Sequence, residues 1–132
     1  IARMEPAVRE TIHASMTLKG GETPTLQKLY ERVREEELPV EWIGMIPHAE
    51  VMERYTRSVL IFPSYIETFG LPLLEARRTG APVIASDCAF SREILEGYGR
   101  AAFFDPEDPE MLAQLITDCA AGRLFSSETL PE

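Results

Sequence analysis

Short apolar runs that alternate with helical patterns constrain the fold of this chain more than any other feature of the sequence. Strands that are apolar along nearly their whole length are typical of a parallel sheet covered on both faces. We therefore predict an α/β fold: a Rossmann-like parallel sheet of about five strands with helices on both faces. The predicted strands are residues 14–18, 41–46, 59–62, 83–86 and 101–104. The predicted helices are residues 24–37, 49–56, 71–79, 91–96 and 108–121.

The two ends of the chain differ from the rest. Residues 1–12 predict part of a helix without a preceding strand, and residues 126–132 predict a polar, frayed tail. We therefore expect a fragment, with one domain at residues 1–125 that lacks its first strand, followed by the tail. A sheet without that strand either closes the gap directly or keeps unpaired edges, which favour self-association of the fragment.

Composition argues against several classes of protein. The formal net charge of −9 argues against binding to nucleic acid, because nothing would neutralise the phosphate backbone. No apolar run approaches the roughly 18 residues of a membrane span, and no signal peptide is visible. Cys88 and Cys119 lack metal-ligand spacing, which favours two reduced thiols in a cytosolic protein. We expect a cytoplasmic location, with peripheral attachment at the inner face of the membrane left open for the full-length protein.

Residues 62–76 carry the strongest functional signal in the chain. A strand leads through a turn into a helix that begins near Gly70. Gly70 has no Cβ, so its backbone can approach a ligand closely, and Pro72 suits the first helical position, where its missing N–H needs no partner. The N–H groups of Phe69 to Leu71 would then face outward at the positive end of the helix dipole. This segment therefore predicts an anion site.

Two carboxylates bracket this predicted anion site. Glu67 precedes the turn and Glu75 follows about one turn into the helix, where side chains lean back toward the N-terminus. A carboxylate does not bind phosphate, but it accepts hydrogen bonds from hydroxyl groups. A ligand that carries both a diphosphate and hydroxyl groups is a nucleoside diphosphate-sugar.

The same residues carry a family resemblance. Glu67 and Glu75, with seven residues between them, resemble the Glu-seven-Glu motif of retaining glycosyltransferases with the GT-B fold, most closely family 4. Matching flanks extend the resemblance over residues 40–115, and Thr68 departs from it because the family more often carries Gly there. The resemblance implies that the chain is the donor-binding, C-terminal half of a two-domain enzyme, and hence half of a GT-B fold. The flanking matches are Phe62-Pro63-Ser64, Phe69-Gly70-Leu71-Pro72, Leu74-Glu75-Ala76, residues 80–87, Glu93-Ile94 and Phe104-Asp105-Pro106.

The resemblance also implies roles for single residues. Glu67 would be the catalytic residue, placed near the donor sugar where it favours positive charge at the anomeric carbon. Glu75 would accept hydrogen bonds from the ribose hydroxyls, and the backbone amides after Glu67 would hold the diphosphate. Backbone groups of the loop at residues 44–47 would contact the edge of the nucleotide base. The candidate donor-binding residues are Ser64, Thr68, Phe69, Gly70, Leu71, Glu75, Gly44 and Ile46.

The implied reaction is transfer of a hexosyl group, with retention of configuration, from a donor such as a UDP- or GDP-hexose. The acceptor would be a glycan or lipid-linked molecule held by an N-terminal domain, as in polysaccharide biosynthesis, and the isolated fragment is expected to be inactive. We expect no metal or other cofactor, because the sequence offers no ligand cluster and GT-B enzymes generally work without a bound divalent cation. Two alternatives stay open: a sugar-nucleotide epimerase of GT-B fold and a non-catalytic nucleotide-sugar-binding module.

Other candidate features have simpler interpretations. Lys19-Gly20-Gly21 lacks the spacing of a P-loop, so a turn is favoured over a phosphate site. Trp42 is predicted to be a core residue. His48 fits either contact with a bound base or an exposed loop. Arg77 and Arg78 are predicted to point away from the start of the helix, as surface or intersubunit charges.

Overall fold

The computed structural model describes residues 1–18, 20–65 and 70–125. Contacts divide the chain into two compact units, residues 1–47 and residues 48–132. The predicted tail at residues 126–132 lies outside the described residues. The predicted domain boundary at residue 125 therefore stays a prediction.

Helices and parallel strands alternate along the described chain, which confirms the predicted α/β class. No helix in this described part has the length and apolar character that a membrane crossing requires. The helices are α1 (Pro6–Arg9), α2 (Pro24–Glu35), α3 (His48–Tyr55), α4 (Leu71–Thr79), α5 (Ala89–Ile94) and α6 (Pro109–Ala120). The strands are β1 (Ala14–Met16), β2 (Val40–Trp42), β3 (Leu60–Phe62), β4 (Val83–Ser86) and β5 (Ala101–Phe104).

The first unit is built on two parallel strands joined by a helix. β1 and β2 pair with Ser15 opposite Glu41, and α2 lies between them in sequence. α2 begins after Thr23, whose side chain accepts a hydrogen bond from a backbone N–H of the first turn. The Trp42 ring packs against Tyr30 of α2, with ring centroids 5.8 Å apart. Trp42 is half-buried against α2 and is not one of the fully buried core residues that the sequence predicted.

The second unit is built on three parallel strands in the order β3–β4–β5. All four residues of β4 are buried, as expected for a central parallel strand covered on both faces. α4 packs against β3 and β4, and α6 packs against β5. The core joins one face of α4 to β4 and to the end of α5; its buried members are Leu73, Ala76, Ala81, Val83, Ala85 and Leu95.

One aspect of the predicted sheet needs correction. The strands are parallel within each unit, but their hydrogen bonds form a two-stranded and a three-stranded sheet and not one continuous sheet. Among the described residues, no hydrogen-bonded pairing joins a strand of one sheet to a strand of the other, so the direct closure considered from the sequence is not seen there.

Element boundaries follow local backbone chemistry. The predicted limits of α4, β4 and β5 are confirmed, and Gly80 ends α4 with φ +79°. Asp108 caps α6 as predicted, because its side chain accepts a hydrogen bond from a backbone N–H of the first turn. Pro72 is the second helical residue and not the first, since α4 begins at Leu71. β2 ends before its predicted limit at residue 46, and Gly44 then takes φ +68°, outside the extended range.

The predicted N-terminal helix is shorter in the structure. The sequence predicted helix within residues 1–12, whereas α1 covers only Pro6–Arg9. Glu5 is extended, with φ −62° and ψ +140°, as expected for a residue that precedes a proline. The helix therefore begins at Pro6.

Arg77 is not a free surface charge, because its side chain makes hydrogen bonds that link two segments of the second unit. Its Nη1 donates hydrogen bonds to the Ile94 carbonyl at 2.8 Å and to the Glu96 carbonyl at 2.7 Å. Its guanidinium also lies 5.6 Å from the centroid of the Tyr98 ring. Arg77 thus connects α4 to the end of α5 and the segment that follows it, whereas Arg78 is exposed, as predicted.

We predict that Arg77→Ala destabilises this chain far more than Arg78→Ala. Arg77→Ala removes charge-assisted hydrogen bonds to two carbonyls, which costs about 1.5–3 kcal/mol in the free energy of unfolding. Arg78→Ala is the matched control on the same helix, with an expected change within about 0.5 kcal/mol. Urea unfolding of both variants measures the difference, and equal effects would contradict the assigned role of Arg77.

Candidate functional site

Three of the candidate site residues lie outside the described residues. These are Glu67, Thr68 and Phe69. The catalytic assignment of Glu67, and the expectation that its carboxylate shares a cleft with that of Glu75, therefore stay predictions. The structure places Ser64, Gly70, Leu71 and Glu75 in the second unit; Gly44 and Ile46 lie in the first.

Gly70 lies at the start of α4; its backbone conformation favours glycine, and a Cβ there would crowd side chains of α5. It takes φ +57° and ψ +38°, a left-handed conformation that other residues rarely adopt. A Cβ built there would lie 2.7 Å from Ile94 Cδ1 and 3.2 Å from Phe90 Cδ2. The sequence analysis assigned Gly70 to close approach by a ligand. That assignment stays a prediction; on its Cβ side, Gly70 is approached by two side chains of α5.

The first turn of α4 is hydrogen-bonded to this glycine. The Gly70 carbonyl accepts hydrogen bonds from the Leu73 N–H at 3.0 Å and the Leu74 N–H at 3.3 Å. Leu71, the first helical residue, is 59% exposed. The segment after β3 is tied to β4, because Ser86 Oγ donates to the Pro63 carbonyl at 2.6 Å. Ser64, the next residue, is half-buried.

Glu75 lies one turn inside α4, where its carboxylate faces α3. Its side chain is only 23% exposed, and Oε2 is hydrogen-bonded to Nε2 of His48, the first residue of α3. Tyr55, the last residue of α3, is also affected by the charge of this carboxylate. Burial raises the pKa of the Tyr55 phenol, and the negative charge of Glu75 raises it further. The hydrogen bond that holds the carboxylate therefore comes from the first residue of α3.

The partnership of His48 with Glu75 was missed by the sequence analysis. The sequence favoured neither a base contact nor an exposed loop for His48, and the residue begins a helix. The two residues are 27 positions apart, so no helical or strand periodicity relates them. The available signal was topological: His48 follows a strand on the edge where the predicted ligand residues lie.

The residues predicted to edge the base belong to the first unit. Gly44 is buried, with φ +68°, and its N–H donates to the Leu18 carbonyl at 3.2 Å. Ile46 is half-buried, and Met45 between them is 94% exposed. The amides of Gly20 and its neighbour Gly21 both donate to Glu22 Oε1. Lys19 lies outside the described residues, so the interpretation of this segment as a turn stays a prediction.

An acidic cleft lies at the carboxyl ends of the strands in the second unit. It has a volume of about 450 Å³ and is lined by Tyr65, Asp87, Asp105, Pro106 and Glu107. Two hydrogen bonds from Arg92, at 2.8 and 2.9 Å, hold the pKa of Asp87 below its ordinary value. With three carboxylates in its lining, this cleft is unsuited to a diphosphate. Among the described residues, no group of three or more His, Cys, Asp or Glu forms a candidate metal site.

Comparison with known proteins identifies a family. The sequence profile described as "Glycosyl transferases group 1" matches residues 7–126, which is most of the chain. The chain is 31% identical over 99 residues to O-antigen chain mannosyltransferase B of Escherichia coli, an alignment that covers 74% of this chain. It is 30% identical over 125 residues to the serotype-specific mannosyltransferase WbdA of Escherichia coli, with 92% of this chain covered.

A solved structure shows the same architecture. Sucrose-phosphate synthase from Thermosynechococcus elongatus matches with a TM-score of 0.65 and 25% sequence identity, over 87% of this chain. That protein is a GT-B enzyme, so the resemblance to half of a GT-B fold is confirmed. All of these relatives are much longer. The chain spans 25% and 15% of the two mannosyltransferases and 31% of the synthase.

We predict that Gly70→Ala destabilises the chain by about 2–4 kcal/mol, the sum of left-handed backbone strain and crowding against α5. Gly97→Ala is the matched control, because Gly97 has φ +75° but nothing within 4 Å of a built Cβ. That control carries only the backbone cost, about 1–2 kcal/mol. Urea unfolding compares the two, and an equal loss would show that α5 does not restrict Gly70.

Proposed function

The chain belongs to the glycosyl transferases group 1 family, and we propose that it is the donor-binding part of an enzyme that uses a nucleoside diphosphate-sugar. The observation that carries the proposal is the position of Glu75. Its partly buried carboxylate lies one turn behind the N-terminus of α4, at the edge where parallel α/β sheets bind ligands. In the proposed complex, Glu75 accepts hydrogen bonds from the ribose hydroxyls.

The proposed reaction is transfer of a hexosyl group with retention of configuration. Glu67 is assigned to the donor sugar on the family motif, and the amides that follow it are assigned to the diphosphate. The names of the relatives in Escherichia coli favour a mannosyl group as the first donor to test. The acceptor, proposed to be a glycan or a lipid-linked molecule, would be bound by a domain outside this chain.

Transfer is favoured over the two alternatives by the relatives. The matched proteins are named as mannosyltransferases and as a sucrose-phosphate synthase, and none of these names describes an epimerase. The motif residues Glu67, Gly70 and Glu75 are intact in the sequence, which argues against a decayed binding module. We also propose that donor binding needs no divalent cation.

The first prediction tests the role of Glu75 in the full-length protein. Glu75→Ala removes a charged acceptor from the ribose hydroxyls, which costs about 1.5–3 kcal/mol, or a roughly 10- to 100-fold rise in the Kd for the nucleoside diphosphate. Glu96→Ala, at an exposed glutamate of the same unit, is the control and should leave the Kd unchanged. Isothermal titration calorimetry measures both. An unchanged Kd for Glu75→Ala would overturn the assignment.

The second prediction tests the reaction. The full-length protein should bind a uridine or guanosine diphosphate-hexose, with the same Kd in the presence of a chelator, and hydrolyse it slowly without acceptor. Glu67→Ala should lower turnover more than donor affinity, because its assigned contact is to charge that develops in the transition state. Binding of the free sugar alone, loss of binding with chelator, or equal loss of turnover and affinity in Glu67→Ala would contradict the proposal.

A further inference from the structure

The hydrogen bond between His48 and Glu75 joins an exposed side chain to a partly buried one. The His48 side chain is 72% exposed, whereas that of Glu75 is 23% exposed. A carboxylate can only accept hydrogen bonds, so the imidazole Nε2–H is the donor. The bond comes from the first residue of α3 and fixes a carboxylate on the neighbouring helix α4.

The bond leaves the carboxylate able to bind a ligand. A carboxylate offers about four acceptor positions on its two oxygens, and the imidazole occupies one of those on Oε2. Among the described residues, no hydrogen bond to Glu75 Oε1 is present. A ribose with two adjacent hydroxyls could therefore reach Glu75 while His48 stays bound.

The bond also limits the freedom of the carboxylate before a ligand arrives. Ordering a flexible side chain on binding costs about 0.5–1.5 kcal/mol, and a chain that is already ordered avoids that cost. The hydrogen bond from His48 is the contact that restricts this carboxylate from the side of α3. The hydrogen bond from His48 would thus order the Glu75 carboxylate, the proposed ribose acceptor, before the ligand binds.

We propose that His48 is a positioning residue for Glu75: its N–H fixes the carboxylate in the orientation that accepts the ribose hydroxyls. This role rests on the proposed function, because it requires Glu75 to bind the nucleotide. His48 itself is assigned no contact with the ligand.

The chain offers a matched pair for comparison. His13 Nε2 lies 2.9 Å from Glu41 Oε2 in the first unit, with side chains 65% and 54% exposed. This is also a histidine–glutamate pair, but its carboxylate is largely in solvent, and neither residue belongs to the proposed site. His13→Ala therefore controls for the loss of a surface histidine.

The test measures the Kd of uridine and guanosine diphosphate by calorimetry on the full-length protein. His48→Ala should raise the Kd by about two- to ten-fold, the range that corresponds to ordering one side chain. His48→Gln, whose amide can donate from a similar position, should recover much of this loss. His13→Ala should leave the Kd unchanged, and all three variants should keep the parent melting temperature.

A double mutant separates positioning from direct contact. In a Glu75→Ala background, His48→Ala should change the Kd by less than about 1.5-fold, because no carboxylate is left to orient. The same fold-loss in both backgrounds would mean that His48 binds the ligand itself or acts on the fold, and it would overturn the proposal. An unchanged Kd for His48→Ala in the parent background would overturn it as well.

A ligand-free measurement tests the bond on its own. In nitrogen-15 NMR spectra, the Nε2–H resonance of His48 should shift when Glu75→Gln is introduced, and that of His13 should not. An unshifted His48 resonance would overturn the proposal. If the parent protein binds no nucleoside diphosphate at all, the proposed function fails and the role of His48 fails with it. If the parent protein binds the nucleoside diphosphate and His48→Ala leaves the Kd unchanged, only the proposed role of His48 fails.

Discussion

The second unit depends on complete burial of β4. All four of its residues are inaccessible, so each backbone and side-chain polar group in this strand needs a partner inside the protein. Its last residue, Ser86, meets this demand in two directions: Oγ donates to the Pro63 carbonyl at 2.6 Å, and the Ser86 carbonyl accepts a hydrogen bond from Ser91 Oγ. The segment after β3 and helix α5 are therefore both fixed to the end of one strand. That edge is where the candidate ligand residues begin.

The position of the start of α4 depends on the segments that these Ser86 hydrogen bonds fix. α5 places Phe90 and Ile94 against Gly70, and the left-handed glycine then sets the direction in which α4 leaves the turn. Arg77 ties the same helix to the Ile94 carbonyl. Glu75 is thus held by packing on one side of α4 and by His48 of α3 on the other. In the proposed site, a carboxylate oriented in this way would favour ligands whose hydroxyls match that orientation.

The sequence predicts best what local chemistry decides. The limits of α4, β4 and β5 are as predicted because local signals mark them: apolar runs define the strands, and a glycine or a proline lies next to an element. Pairing between strands is not local, so the sequence predicted one sheet but left open whether the gap closes or leaves unpaired edges, and the hydrogen bonds form two sheets. The bond from His48 to Glu75 joins residues 27 positions apart, and the contact of Ile94 with Gly70 depends on how α5 packs. A sequence motif can thus name Gly70 and Glu75, whereas their supporting residues come from the tertiary structure.

The charges of the second unit are poorly suited to the phosphates of the proposed nucleoside diphosphate ligand. A nucleoside diphosphate brings about two negative charges, and one helix N-terminus offsets them by only ~0.3–1 kcal/mol. Two nearby arginines are already engaged, since Arg77 donates to carbonyls and Arg92 to Asp87. The carboxylates of Asp87, Asp105 and Glu107 add repulsion at the same edge. If Glu75 binds ribose as proposed, this unit recognises the hydroxyls of the donor, and the phosphate charge must be neutralised mainly by cations elsewhere in the full-length protein.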